Sequence, residues 1–554
     1  MQEKLFTAIT GTIALVAGFV FVSGAPGLPL DDAYIHLTFA KNLAHGNGLC
    51  FNPGEFSLGS SSPLWIGVLA LTKAVGGGLV SGARIISVLA FSVACALTFR
   101  TTVRSLVSDS LSRYWAYAVG LTASAGVFLS GNMLWLAGAG MEPFIFLCLG
   151  MGAVLLVSSE SPKPVAAGVL LALAGLTRTS SLALIIIISA VLLLSTRRKA
   201  RYYAGIAAAV LLPALWHLFS FFKTGHLIPQ TRAGKLAADL FNTGLSAEGA
   251  ALYAWRHLTH LWLHERGIVI MAFFGLATLL LVLGLYAADK IKSQKAKTDP
   301  ENSIQTISLS PAHILGIWFV LHFAAHMLFF RSAEIITPYH NLRYHPMLFP
   351  AIYSAAAVAI WYVAVKINAR IRSRAVPAAA ILVLCAPVVI QAFNVNTWRT
   401  YYLHNTEQLQ EEHKKAAEWA ANFLEKDARI ACLDVGILGF YSERYIIDLG
   451  GLIDPSVNPW LEKGRVGPYL VEKKATHYFA MVRHDSERIT GVKNEKDYGR
   501  LYRLGLMERF HYPYYRRPVF LHSLGINIYK ILPPENINNQ QGTDRQNKRQ
   551  TEER

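Results

Sequence analysis

Apolar residues along the first four hundred positions of this chain come in runs of roughly 16 to 22 residues, separated by short polar stretches. A transmembrane helix needs about 20 apolar residues to cross a hydrocarbon core of about 30 Å, so runs of this length predict membrane spans. They fall near residues 5–24, 80–99, 114–131, 142–158, 164–177, 180–195, 202–221, 267–287, 312–330, 345–365 and 376–393, about eleven in all. No small-residue cleavage pattern follows Leu5 to Val22, which is therefore read as a retained first helix rather than a signal peptide. The expected fold is a polytopic α-helical membrane protein, with a transmembrane domain over 1–393.

The stretches between the runs are patterned too. A long loop over 29–78 carries Tyr34, Ile35, Leu37, Thr38, Phe39 and Leu43 on one helical face, against His36, Lys41, Asn42 and His45. That spacing predicts an amphipathic helix lying at the membrane surface, ended by Gly46 and Gly48. Pro63 to Val75 predicts a second interfacial helix. Another loop, 222–266, opens with interleaved cations, Gly and Pro. After Asn394 the long runs stop: "QLQEEHKKAAEWAANFLEK" predicts an amphipathic helix, while "ARIACLDVG", "RYIIDLGG" and "THYFAMV" predict short buried strands. These elements predict a soluble α/β domain over 394–533, and the polar tail over 534–554 has the composition of a disordered segment.

Charge orients this layout. Arg100, Arg104 and Arg113, then Arg197, Arg198, Lys199 and Arg201, then Lys290, Lys292, Lys295 and Lys297, then Lys366, Arg370, Arg372 and Arg374 occupy alternate loops. The positive-inside rule assigns those loops to the cytoplasm, which places the N-terminus inside and everything after Asn394 outside. The formal charge of +17 is thereby spread over short loops instead of one face, a distribution that argues against nucleic acid as a partner. Five cysteines show no metal spacing; Cys50 and Cys432 both fall outside the expected membrane, where pairing is open.

The chemistry-bearing residues concentrate at the outer face. Asp31 and Asp32 open the predicted loop helix, where one aspartate can cap free N–H groups. Adjacent helical positions point about 100° apart, so the second needs water or another partner. Glu142, just before Pro143, returns to the same expected face, with capping again the simpler reading. Cations gather there as well: Arg178, Lys223, Arg232, Lys235, Arg331 and Arg343, with His340 and His345. Acids beside bases at a membrane surface suit a substrate with a phosphate at its lipid end and a hydroxyl-bearing partner.

The stretch "DDAYIHLTFAKNLAHGNGLCFNPGEFSLGSSSPLW" resembles the first outer loop of the GT-C membrane glycosyltransferases, in particular the polyprenyl-phosphate-sugar-dependent arabinofuranosyltransferase branch. "GMEPFIF", "GHLIPQTRAGK", "NLRYHPMLFP" and "DVGILGFYSERYIIDLGGLIDP" extend the resemblance in order along most of the chain. Two positions depart from the family pattern: Thr179 and Ser180 follow Arg178 where Pro and an acid are common, and Gln230 stands where Asn is common.

The resemblance implies transfer of a sugar, a pentose such as arabinofuranose or a hexose, from a polyprenyl-phosphate donor to a hydroxyl of a cell-envelope glycan, glycolipid or protein. It implies Asp31 as the base, and Asp32 and Glu142 as groups that orient the acceptor or hold a divalent cation such as Mg, Mn or Ca. Lys235 and Arg343, with Arg232, Arg178 and His340 in support, would bind the phosphate. The implied location is the bacterial cytoplasmic (inner) membrane, with the active site and C-terminal domain periplasmic. The glycines of "DVGILGFYSERYIIDLGGLIDP" suit tight turns, and Asp448 and Asp454 suit turn closure; the alternative is that the outer domain leans over the first loop and helps choose the acceptor. A lipid or solute transporter or flippase is the rival function, although its usual marks, midplane charges and paired half-sequences, are missing here.

Overall fold

The computed structural model describes residues 1–60, 62–106, 113–194, 200–225, 247–295, 310–329, 343–462, 467–481, 503–510 and 526–532. Each expected apolar run lies on a helix or a bent pair of helices. Among the described residues five helices are long and apolar enough to cross a membrane: Gln2–Val22, Leu79–Leu106, Ala200–Thr224, Leu348–Ile371 and the run Ala375–Phe423, whose apolar part is Ala375–Ala392. Two bent pairs, Arg113–Phe128 with Gly131–Ala137 at 66° and Ala254–His264 with Arg266–Thr278 at 116°, raise that number to seven. Pro143–Val157, Pro164–Thr177, Thr179–Leu194 and Pro311–Met327 are helical but only 10–17 residues long. Five to seven of the eleven expected spans are thus long and apolar enough, by length and composition, to cross a membrane.

Chain contacts divide the molecule into two compact units. One comprises Met1–Gly24, Ser81–Trp216 and Leu245–Leu403; the other comprises Ala25–Val80, His217–Gly244 and His404–Arg554.

In the first unit both helix bends share one polar network. Breaking a helix frees backbone groups that must find partners away from water. Glu265, wholly buried at the sharper bend, accepts from the Asn132 N–H at 2.6 Å and the Ser130 hydroxyl at 3.2 Å, which belong to the other bend. The Gln391 amide donates to the second Glu265 oxygen, and its own carbonyl accepts from the Ile268 N–H at 3.0 Å. Trp398 packs on Gly131 so closely that a Cβ there would lie 2.1 Å from the indole. Glu265→Ala strips partners from three buried donors, at about 1–3 kcal/mol for each. Thermal unfolding in detergent should show a large drop for Glu265→Ala and a smaller one for Glu265→Gln.

In the second unit five strands form one sheet: β1 Arg429–Cys432, β2 Tyr445–Asp448, β3 His477–Met481, β4 Arg503–Phe510 and β5 Ile526–Leu532. The order is β2-β1-β3-β5-β4, with β1 parallel to β2 and β3, and β5 antiparallel to β3 and β4. Ala431, Ile447, Leu449, Val457, Tyr469, Leu470 and Tyr478 make its core. The loop helix forms over Asp31–Ala44 as expected, yet it is enclosed over most of its length, from Ala33 through Ala40. Its polar side chains find protein partners: His36 Nδ1 lies 2.8 Å from the Ser60 hydroxyl, and the Asn42 amide donates to the Cys50 and Phe51 carbonyls at 3.0 and 2.8 Å. Cys50 and Cys432 are buried free thiols. Asp448 closes the turn after β2, accepting N–H bonds from Gly450 at 2.7 Å, Ile453 at 2.6 Å and Asp454 at 3.2 Å.

Candidate active site

Asp31 is the first residue of its helix, yet its side chain caps a different one. Its two carboxylate oxygens accept the N–H groups of Gly436 at 2.8 Å and Ile437 at 2.7 Å, the first turn of the helix Val435–Ser442. Those donors are orphans of a helix start, and the positive end of the helix dipole favours an anion there. Asp434, at that helix's own N-cap position, makes no capping bond and turns to His413, whose Nε2 lies 3.2 Å from Asp434 Oδ2. His413 sits in a π-helical turn, Leu409–Lys414, a local widening that often marks functional positions.

Close approach explains the glycines here. A Cβ on Gly436 would lie 2.0 Å from the Asp31 carbonyl oxygen, and one on Gly439 would meet the Phe51 ring at 2.4 Å. Tyr34 packs its ring against Phe440 and Tyr441, and Lys41 pairs with Glu443 at 3.0 Å. The glycine-rich motif thus packs on the first loop, and its Asp448 makes a turn.

The electrostatics of this trio oppose each other. Burial, and then the charge of Asp434, push the Asp31 carboxyl up to about 7, against the pull of its two N–H donors and His413. Burial works against a charged His413, but the Asp434 hydrogen bond and the charges of Asp434, Asp31 and Glu412 outweigh it and raise its proton affinity. Groups this close titrate as a set rather than singly. Asp32, one helical position on, is half-buried.

In the first unit, Glu142 occupies the N-cap position of Pro143–Val157 without capping it. It is 3% exposed and pairs instead with Arg178 at 2.6 Å. Arg178 and Arg343 both lie on the ring of Tyr344, at 5.5 and 5.1 Å from its centroid, and Arg343 donates to the Tyr344 hydroxyl at 3.0 Å. Two guanidinium groups gather around one ring, and guanidinium forks are the donors that match a phosphate. Breaking a buried ion pair from one side typically costs about 3–5 kcal/mol. Arg178→Ala should therefore lower the unfolding temperature more than the double change Glu142→Gln with Arg178→Met.

The structure thus gathers Glu142, Arg178 and Arg343 within one unit, and Asp31 with Asp434 and His413 within the other. Lys235, Arg232 and His340 lie outside the described residues. Sequence reasoning passed over His413, Tyr344 and Glu265. His413 had a signal in the doublet of acids before it, whereas Tyr344 and Glu265 had none beyond their neighbours in "NLRYHP" and "HERG".

Among solved structures, similarity extends over nearly the whole chain. ArnT from Cupriavidus metallidurans in the apo state matches with a TM-score of 0.54 and 13% identity, covering 96% of this chain and 98% of that one. The same protein bound to undecaprenyl phosphate matches with a TM-score of 0.51 and 13% identity, covering 95% and 97%. The Archaeoglobus fulgidus oligosaccharyltransferase tethered to an acceptor peptide matches at 0.50 and 12%, covering 94% and 74%. A family described as a domain of unknown function, DUF8728, matches residues 398–521. A search of curated proteins finds no match. The chain is built on the fold of the GT-C membrane glycosyltransferases, the superfamily that its motifs resemble.

Proposed function

We propose that the protein is an integral-membrane glycosyltransferase that moves a sugar from a polyprenyl-phosphate donor to a hydroxyl of a cell-envelope glycan or glycolipid. The observation that carries this reading is Asp31: a carboxylate at the start of the first outer loop, held by two backbone N–H groups, with a proton affinity near neutrality. An alcohol is a weak nucleophile, and a base with a pKa close to the working pH is best placed to take its proton as the new bond forms. Each Asp31 oxygen spends one lone pair on an N–H and retains a second.

In the proposed step the acceptor oxygen attacks the anomeric carbon while its proton passes to Asp31. The bond from that carbon to the phosphate oxygen breaks, and polyprenyl phosphate leaves with the electron pair. A phosphate leaving group needs positive charge rather than a proton donor. Arg343 takes that role, with Arg178 held ready by Glu142; Lys235, Arg232 and His340 are the proposed support, and Asp32 orients the acceptor. ArnT's bound undecaprenyl phosphate supports a lipid-phosphate ligand for this fold. No step here is routed through a divalent cation.

The remaining features belong to the same reading: eleven crossings, the sheet-bearing C-terminal region as a periplasmic domain, and residence in the bacterial inner membrane. Arabinofuranose is the first sugar to try, a hexose the second. The purified protein, supplied with a panel of polyprenyl-phosphate sugars and a cell-envelope glycan extract, should transfer from at least one donor. No turnover with any member of the panel counts against the proposal.

A further inference from the structure

We infer that His322, His326 and His345 form a binding site for a zinc-like divalent transition metal. One ring nitrogen from each lies within 4.8 Å of the others. His322 and His326 are four positions apart on the helix Pro311–Phe329, so their side chains leave the same face. His345 comes from the turn just before the helix Leu348–Ile371 and meets both: its ring centroid is 5.2 Å from that of His322 and 4.8 Å from that of His326. All three belong to one compact unit.

Core histidines usually settle singly against a hydrogen-bond partner. Here three imidazoles converge instead, two of them at 2% and 1% exposure. Imidazole nitrogen is a preferred ligand of zinc, copper and nickel, and three histidines with one open position is a known zinc arrangement. Zinc–nitrogen bonds of about 2.0–2.1 Å at tetrahedral angles set the nitrogens about 3.4 Å apart, so the cluster must contract by up to about 1.4 Å. Rotation of the half-buried His326 about its own side-chain bonds contributes to that closure.

A second interaction favours metal binding. His322 Nε2 lies 2.8 Å from the Tyr344 carbonyl oxygen. The Ser180 backbone also bonds to this imidazole, a contact that a metal would have to displace while the Tyr344 carbonyl keeps the outer N–H, the support that metal-bound histidines generally have. Nearby positive charge opposes a cation, but Glu142 already neutralises Arg178, and the open fourth position can take water or an anionic oxygen.

The test uses the full-length protein purified in detergent with a tag free of histidine. After loading with zinc and desalting, wild type should retain one metal per chain by elemental analysis. Cobalt(II) in its place should give the visible absorption bands of a tetrahedral site. Both His326→Ala and His345→Ala should reduce retained metal at least tenfold, whereas His313→Ala, on the same helix outside the cluster, should keep it. His326→Gln guards against misfolding, since it should lose metal while unfolding at the temperature of metal-free wild type. Retention of less than a tenth of a metal per wild-type chain, or full retention by His326→Gln, overturns the site. None of these readouts depends on sugar transfer.

Discussion

Asp31→Asn should lower kcat/KM for sugar transfer by about 10²- to 10⁴-fold, the contribution of a positioned general base. The substitution keeps the shape and one acceptor oxygen but removes the group that takes the acceptor's proton. It also turns an NH₂ toward one of the two N–H donors of Gly436 and Ile437, at a cost of about 1–3 kcal/mol. The unfolding temperature therefore has to be read beside the rate. A separate signature comes from pH. Asp31 acts only when deprotonated and its carboxyl sits at about 7, so wild-type kcat/KM should rise with pH through neutrality and level off above it. The charge of Asp434 is one reason that carboxyl is raised, so Asp434→Asn should move the limb to lower pH while leaving a plateau. A limb that stays put in Asp434→Asn, or a full rate in folded Asp31→Asn, assigns the base elsewhere.

Gly436→Ala should be the most damaging single methyl in the second unit. Its Cβ would lie 2.0 Å from the Asp31 carbonyl oxygen, with the Asp31 carboxylate at 2.8 Å, so backbone must move on one side or the other. Overpacking of this kind costs about 1–3 kcal/mol. The movement would also carry away the donors that hold Asp31, and a displacement of about 1 Å at a reacting group can cost about 10²-fold in rate. Gly67→Ala is the matched control: no atom lies near its Cβ position, and it sits within the helix Pro63–Ala74, where alanine is the better helix former. Circular dichroism melts and transfer assays of the two variants should differ sharply, with Gly67→Ala at or slightly above wild type in stability.

The helices were readable because their cause is local. An unbroken apolar run forms a helix whatever it packs against, and Pro143 and Pro164 mark helix starts by their own geometry. The bends were not readable, because the groups that satisfy them are remote: Glu265 serves Asn132 from 133 positions away. Length was also ambiguous, since a run such as Pro164–Thr177 has the composition of a span and only 14 helical residues.

The same limit governs the site. Asp31 was legible as a residue with something to do, but capping and chemistry could not be separated, because the helix it caps begins 404 positions later, at Val435. One-sided patterning in Asp31–Ala44 reads alike against lipid or protein, and only the Ser60 and Cys50 partners of His36 and Asn42 show protein. Gly436 looked like a turn residue; its role is to leave room. Glu142 looked like a cap because Pro143 follows it, and its carboxylate goes to Arg178.

Proteoliposomes that hold the purified protein, a labelled polyprenyl-phosphate sugar and an added hydroxyl acceptor put enzyme and flippase in direct competition. The account predicts label covalently attached to the acceptor, with sugar-free polyprenyl phosphate accumulating in equal amount, and neither in Asp31→Asn. Intact donor appearing in the opposite leaflet, with its sugar–phosphate bond uncleaved for every donor tried, would contradict it.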